Sequence, residues 1–272
     1  MINILHLIVI SPAARAMSHK IAVASITLLF IAWQSVNASA EPSAGELFKQ
    51  VEDRFSSIST LSYTVKRVSV SRKQNSEDRW QFRLKKPGRV RIDYQVPHER
   101  LIIMDSETIW EYIPSLKKAA KTELASMSRE KQEEAVSQVM ARVSVDGLRM
   151  GRYVEMEKKA SRVKTVTWSG SEVYQVDGAD PKYVVYIDKA RSTLLRMEIY
   201  DPKGDLVIKT ESSRFIEATQ GFWLPREIRA TYNTPSGFVQ STVTLQDIRV
   251  NDMVDDALFR FAVPKGIEVI LH

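Results

Sequence analysis

Residues 82–114 read FRLKKPGRVRIDYQVPHERLIIMDSETIWEYIP. Apolar side chains fall at alternate positions, with Trp80, Phe82 and Leu84 in one run and Val90, Ile92 and Tyr94 in the next. A period of two marks half-buried antiparallel strands. Lys86-Pro87-Gly88 supplies turn chemistry between them. Leu101 to Met104 and Thr108 to Ile113 follow as two more strands, joined at Asp105-Ser106.

The same pattern extends outward in both directions. Before the quoted stretch, Leu61, Tyr63 and Val65 alternate, and Gln74-Asn75-Ser76 offers a turn. Ser43-Ala44-Gly45-Glu46 has capping-box spacing, and Leu47, Val51 and Phe55 recur every four residues, so a short amphipathic helix is expected over about 43–57. After the quoted stretch, alternation lapses over about 126–145, where Ala135, Val136, Val139, Met140 and Val143 take helical spacing. Seven further strands follow, within 163–250, punctuated by Asp177-Gly178, Asp201-Pro202-Lys203-Gly204 and Thr234-Pro235-Ser236-Gly237.

With four or five strands before the second helix, the expected total is about 11, in one antiparallel sheet within a single domain over 41–272. A sheet that wide twists too strongly to stay flat and should curl into a barrel, half-barrel or sandwich. The bulky residues Trp80, Phe82, Ile92, Tyr94, Trp110 and Tyr112 are assigned to the inner face, with helices covering what the sheet leaves open. An apolar concavity under a helical lid is a binding shape.

Composition narrows the chemistry. The 272 residues contain no Cys, which excludes thiolate nucleophiles, disulfides and Cys-ligated metals. Residues 1–40 carry no Asp or Glu; Lys20 precedes an apolar run from Ile21 to Trp33, and Ala38-Ser39-Ala40 follows. The run is too short to span a membrane and has the anatomy of a cleavable signal peptide, with Glu41 as the mature start and Met17 as the candidate true initiator. Removing 40 residues, with Arg15 and Lys20, leaves 232 residues and 37 bases against 33 acids, a charge of +4 rather than +6. A soluble, exported, monomeric periplasmic protein is expected, and nucleic acid is not a partner. The bases Arg83, Lys85, Lys86, Arg89 and Arg91 bunch, either as a site for an anionic surface or as solvated hairpin positions.

No catalytic constellation emerges. After residue 40 the histidines are His98, in a turn, and His272, and there is no G-x-S-x-G elbow, Gly-rich phosphate loop or metal-ligand spacing. Glu99, Asp105 and Glu111 are the carboxylates that an enzymatic reading would use. The expectation is a non-enzymatic protein without cofactor or metal.

The stretch resembles the LolA-type periplasmic carriers of outer-membrane lipoproteins. The family's basic residue before proline, aromatic strand, Pro-x-Glu, apolar strand, Asp-Gly-x-Thr-Leu-Trp and Tyr-x-Pro are matched here. The matching residues are Lys86-Pro87, Val90 to Tyr94, Pro97 with Glu99, Leu101 to Ile103, Asp105 with Thr108, Ile109 and Trp110, and Tyr112 with Pro114. Residues 258–269 resemble the family's closing Phe-x-Phe-x-x-Pro-x-Gly-Val strand. The departures are Lys86 where Arg is usual, Ser106 for Gly, and Glu111 for an aromatic.

The resemblance implies an unclosed half-barrel with a helical lid, sheltering acyl chains of lipoproteins or other lipids between an inner-membrane donor and an outer-membrane acceptor. The expected lining is Trp80, Phe82, Leu84, Val90, Ile92, Tyr94, Trp110 and Tyr112. Lys86 is expected to touch the lid, and Val136, Val139, Met140 and Val143 to form the lid's inner face. The alternative is a periplasmic regulator of the same fold that senses lipoproteins or lipids.

Overall fold

The structure, a computed structural model, describes residues 41–143, 153–234 and 237–272. The expected signal peptide and Met17 lie outside the described residues. Helix α1, Ala44–Asp53, starts at Ser43, whose hydroxyl accepts from the Glu46 N–H while the Glu46 carboxylate accepts from the Ser43 N–H. This reciprocal cap satisfies two donors that a helix start otherwise leaves bare.

Six strands follow: β1 (Thr60–Ser71), β2 (Asn75–Lys85), β3 (Arg89–Val96), β4 (Arg100–Met104), β5 (Thr108–Ile113) and β6 (Lys118–Glu123). Helix α2, Arg129–Val143, and the short α3, Val154–Lys158, then interrupt the strands. The second meander is β7 (Ala160–Trp168), β8 (Ser171–Gly178), β9 (Tyr183–Asp188), β10 (Leu194–Tyr200), β11 (Leu206–Thr219), β12 (Phe222–Thr234) and β13 (Gly237–Val250), and β14 (Glu268–Leu271) closes the series.

All belong to one 14-stranded sheet ordered β14-β6-β5-β4-β3-β2-β1-β13-β12-β11-β10-β9-β8-β7. The two meanders join where β1 pairs antiparallel with β13, and β14 pairs parallel with β6. The sheet does not close, because β7 and β14 end the order without pairing to each other.

The expectation of about 11 strands fell short at β6 and β14. In β6, KAAKTE, only Ala119 is buried, so no bulky alternation marks the strand. The expected closing strand over 258–269 is mostly irregular; Asp256–Phe259 is a 3-10 turn, and strand begins only at Glu268.

Helices cover the concave face in two patches. Ile58, Leu61, Tyr63, Val65, Trp80, Phe82 and their neighbours form one core on β1 to β5, β12 and β13, against which α2 packs. On the other half, Leu47, Phe48 and Val51 of α1 meet Tyr153, Met156, Val176, Val185 and Ile187, with Phe48 stacked on Tyr153 at 5.4 Å. A single glycine is dictated by packing there. Gly178 faces Tyr183 across the β8–β9 ladder, and a Cβ on it would lie 2.0 Å from that ring.

The convex face of the first meander is covered by the chain after β13. Arg83, Lys85, Arg89 and Arg91 project to this side, opposite in parity to buried Phe82 and Ile92. Lys85 and Arg89 both bind the Asp256 carboxylate, at 2.5 and 2.7 Å; Lys85 also donates to the Val254 carbonyl, and Arg91 to that of Leu258. Lys85, Arg89 and Arg91 thus grip a segment of their own chain, while Arg83 pairs with Asp93 at 2.8 Å.

The two cations hold the Asp256 carboxyl below its ordinary value of 3.8. A depressed carboxylate contributes stability that is complete above the ordinary value and lost as pH falls through the lowered one. Amide exchange at Leu258 and Arg260, corrected for intrinsic rates, should therefore stay slow from pH 7 to about 4 and accelerate only below it, whereas Asp256→Asn should exchange fast throughout.

Candidate functional site

The floor of the concave face is built by register. Val65, Trp80 and Tyr94 lie across from one another on β1, β2 and β3, as do Tyr63, Phe82, Ile92 and Ile102 from β1 to β4. Phe82 and Ile92 are fully buried, and Trp80 and Val90 are nearly so, while Leu84 and Tyr94 pack at the margin of the same cluster. Tyr63 stacks on Phe82 at 4.9 Å, and burial pushes its hydroxyl pKa up.

Helix α2 lies against this floor. Val139 is buried in the cluster, and Ala135, Val136 and Met140 pack on it from the same helix face. The side chain of Val143 lies outside the described residues. The start of the helix is pinned by Gln132, whose amide donates to the carbonyls of Leu124 and Met127 at 2.9 and 3.1 Å.

Between α2 and strands β5 and β6 a cavity of about 420 Å³ opens, lined by Ile109, Glu111, Thr122, Met127, Lys131 and Val139 among others. That is near the lower end of the range for small-molecule pockets. It continues the apolar floor, since Ile109 and Val139 belong to both.

Trp110 and Tyr112 correct the expectation, because they lie on the opposite, convex face. Trp110 pairs with Ile103 and Tyr112 with Leu101, out of phase with Ile102 and Met104 of the floor, and both rings pack on Phe261 at 5.1 and 5.5 Å. Strand β5 is apolar on both sides, so alternation fixed its phase without saying which side faces inward. Ile109, with Ile102 and Met104 of β4, takes the inner positions instead. The departure at Glu111 also falls on the inner face, where Arg100 pairs with it at 2.6 Å.

Lys86 corrects a second expectation. Its ammonium donates to the carbonyls of Phe55 and Ser56, in the turn that follows α1, and not to α2. A cation at a helix C-terminus meets carbonyls that lack intrahelical partners. Nearby, Arg54 donates to the carbonyls of Ser192 and Trp223 at 2.6 and 2.5 Å, and burial lowers its pKa to about 10. Phe55 meets Phe222 edge-on at 5.3 Å, so the α1 end is tied to β2 by Lys86 and to β12 by Arg54 and Phe55.

The polar groups weighed for chemistry have other partners or lie in solvent. Asp105 accepts from the backbone N–H groups of Glu107 and Thr108, forming its turn, and His98 and Glu99 are exposed. Among the described residues no group of three His, Cys, Asp or Glu is placed to hold a metal ion.

A family model, described as outer membrane lipoprotein carrier protein LolA, matches residues 57–208. No curated protein matches the chain. Among solved structures, a domain from Vibrio parahaemolyticus described as outer membrane lipoprotein-sorting superposes with a TM-score of 0.53 at 16% identity, covering 79% of this chain and 94% of that one. A LolA superfamily protein from Nitrosomonas europaea gives 0.51 at 13% identity, covering 81% and 98%. At such identities the likeness is one of fold.

Lys86→Ala should loosen the turn after α1 by about 1 kcal/mol, the worth of a cation at helix-terminal carbonyls. Amide exchange should rise at residues 55–59, while protection in β2 and β3 stays unchanged, and Lys86→Arg should retain the wild-type pattern.

Proposed function

Because this chain belongs to the LolA family of outer membrane lipoprotein carriers, whose fold supports lipoprotein binding, we propose that it shelters the acyl chains of lipoproteins in the periplasm on their way between the two membranes. The observation that carries the reading is the apolar floor around Phe82 and Ile92, covered by a helix whose described contacts with it are apolar. Trp80, Phe82, Leu84, Val90, Ile92 and Tyr94 form the surface offered to the cargo once α2 lifts. Val136, Val139 and Met140 are the part of the lid that leaves them.

Magnitudes favour such an exchange. Fully exposing a Val or Met side chain costs about 1.5–3 kcal/mol, so lifting the α2 face costs several kcal/mol. An acyl chain returns about 0.8 kcal/mol per buried CH₂, on the order of 10 kcal/mol for one long chain. A 420 Å³ cavity is small for a multiply acylated cargo, so the closed lid suits the unloaded carrier.

Export follows from residues 1–40 read as a cleaved leader. Among the described residues, no helix is long and apolar enough to cross a membrane. Release then requires an acceptor at the outer membrane at least as apolar as the floor, and loading requires a donor at the inner membrane.

Expressed as the full chain in a Gram-negative host and purified from the periplasm, the protein should begin at Glu41 and yield acylated protein on solvent extraction and mass spectrometry. Free phospholipid or fatty acid alone would reduce the reading to general lipid binding. Protein that holds no acyl chain and takes up no hydrophobic dye would contradict it.

A further inference from the structure

Five buried side-chain nitrogen or oxygen atoms among the described residues lack a hydrogen-bond partner: Arg54 Nε, Arg67 Nε, Trp80 Nε1, Arg100 Nε and Thr193 Oγ1. Buried polar atoms without partners are few in folded proteins, and each needs a reason. Three of these five lie in one row across the concave face.

The row follows the register. The Arg67 guanidinium lies 4.8 Å from the Trp80 ring centroid, the Trp80 ring 5.8 Å from that of Tyr94, and the Arg100 guanidinium 5.7 Å from Tyr94. Arg100 then reaches Glu111, which lines the cavity under α2. Arg67 stands opposite Asp78 in register, yet its guanidinium lies on Trp80. Immediately beside the row runs the apolar line of Tyr63, Phe82, Ile92 and Ile102.

All three unpartnered atoms are N–H groups, which donate and cannot accept. Their complement is therefore an acceptor oxygen attached to an apolar chain. A carboxylate or hydroxyl elsewhere in the protein would have filled that role, and Trp80, 1% exposed, has no access to bulk water.

We propose that Arg67, Trp80 and Arg100 form a carbonyl-binding row that receives the acyl carbonyl oxygens of the cargo, fixing where its chains begin while the Phe82 line holds their methylenes. This rests on the carrier reading and adds to it a chemical selectivity. The site distinguishes an acyl glyceryl group from an equally apolar alkyl chain. Burial of an unsatisfied donor is costly, and a carbonyl removes that cost where an ether oxygen, a weak acceptor, does not.

The test is displacement of a fluorescent fatty acid by two pairs of compounds. One pair is a diacylglyceryl-cysteinyl peptide and its dialkyl ether counterpart; the other is diacyl phosphatidylglycerol and its dialkyl ether counterpart. The wild-type chain should bind the ester form of the lipopeptide about tenfold more tightly than the ether. Trp80→Phe, which removes the N–H and keeps an aromatic ring, should cut that ester-over-ether preference by about threefold, as should Arg67→Met.

An ester preference shared by the phospholipid pair assigns the row to acyl glyceryl groups in general. A preference confined to the lipopeptide assigns it to acylated protein. Equal affinity of wild type for ester and ether, or equal weakening of both by the variants, overturns the row while leaving the carrier reading intact. Failure of every compound to displace the probe from wild type overturns both. Matching thermal unfolding of the variants and wild type keeps loss of fold from imitating the result.

Discussion

An open sheet of fourteen strands exposes an apolar concave face that its own strands cannot cover. Closing the sheet into a barrel would hide that face; leaving it open requires cover from outside the sheet. Here the cover is helical and divided. Helix α1 with α3 seals the half formed by β7 to β10, and α2 lies over the half centred on β2 and β3. The division matters because the two covers are fastened differently. The α1 end is held by Lys86, by Arg54 and by the Phe55–Phe222 contact. At its start α2 is pinned through Gln132 to the carbonyls of Leu124 and Met127, and Val136, Val139 and Met140 pack apolar surface on the floor.

The convex face of the first meander solves the opposite problem. Its row of bases would be a strong positive patch, but Asp256 and the carbonyls of Val254 and Leu258 occupy several of them. The same segment brings Phe261 onto Trp110 and Tyr112. One face thus buries aromatic residues under an irregular segment secured by ionic ties, while the other buries them under a helix.

Much of the framework was legible from the residues. The capping box at Ser43 and Glu46, the alternation in β1 to β3, and the helical spacing around Val139 each have a local cause, and each reappears in the structure. Three features lacked such a cause. Strand β6 alternates almost nothing bulky, and its pairing with β5 is set by the sheet. The inward side of β5 is decided by β4, since Ile109 and Trp110 are equally suited to burial. The role of Lys86 depends on where α1 ends in space. The unpartnered donors of Arg67, Trp80 and Arg100 were least legible of all: a missing partner has no signature in sequence, and Arg67 reads as an ordinary polar residue at the end of an alternating strand.

The central claim is that α2 must leave the floor before acyl chains can occupy it. The chain has no cysteine, so Val139→Cys with Ile109→Cys, both lining the same cavity, introduces a unique pair that a short bifunctional maleimide can bridge. Uptake of a fluorescent acyl chain by the bridged protein, compared with the same variant left unbridged, tests the claim directly. The account predicts that bridging abolishes uptake while the unbridged variant loads; equal loading of bridged and unbridged protein would contradict it.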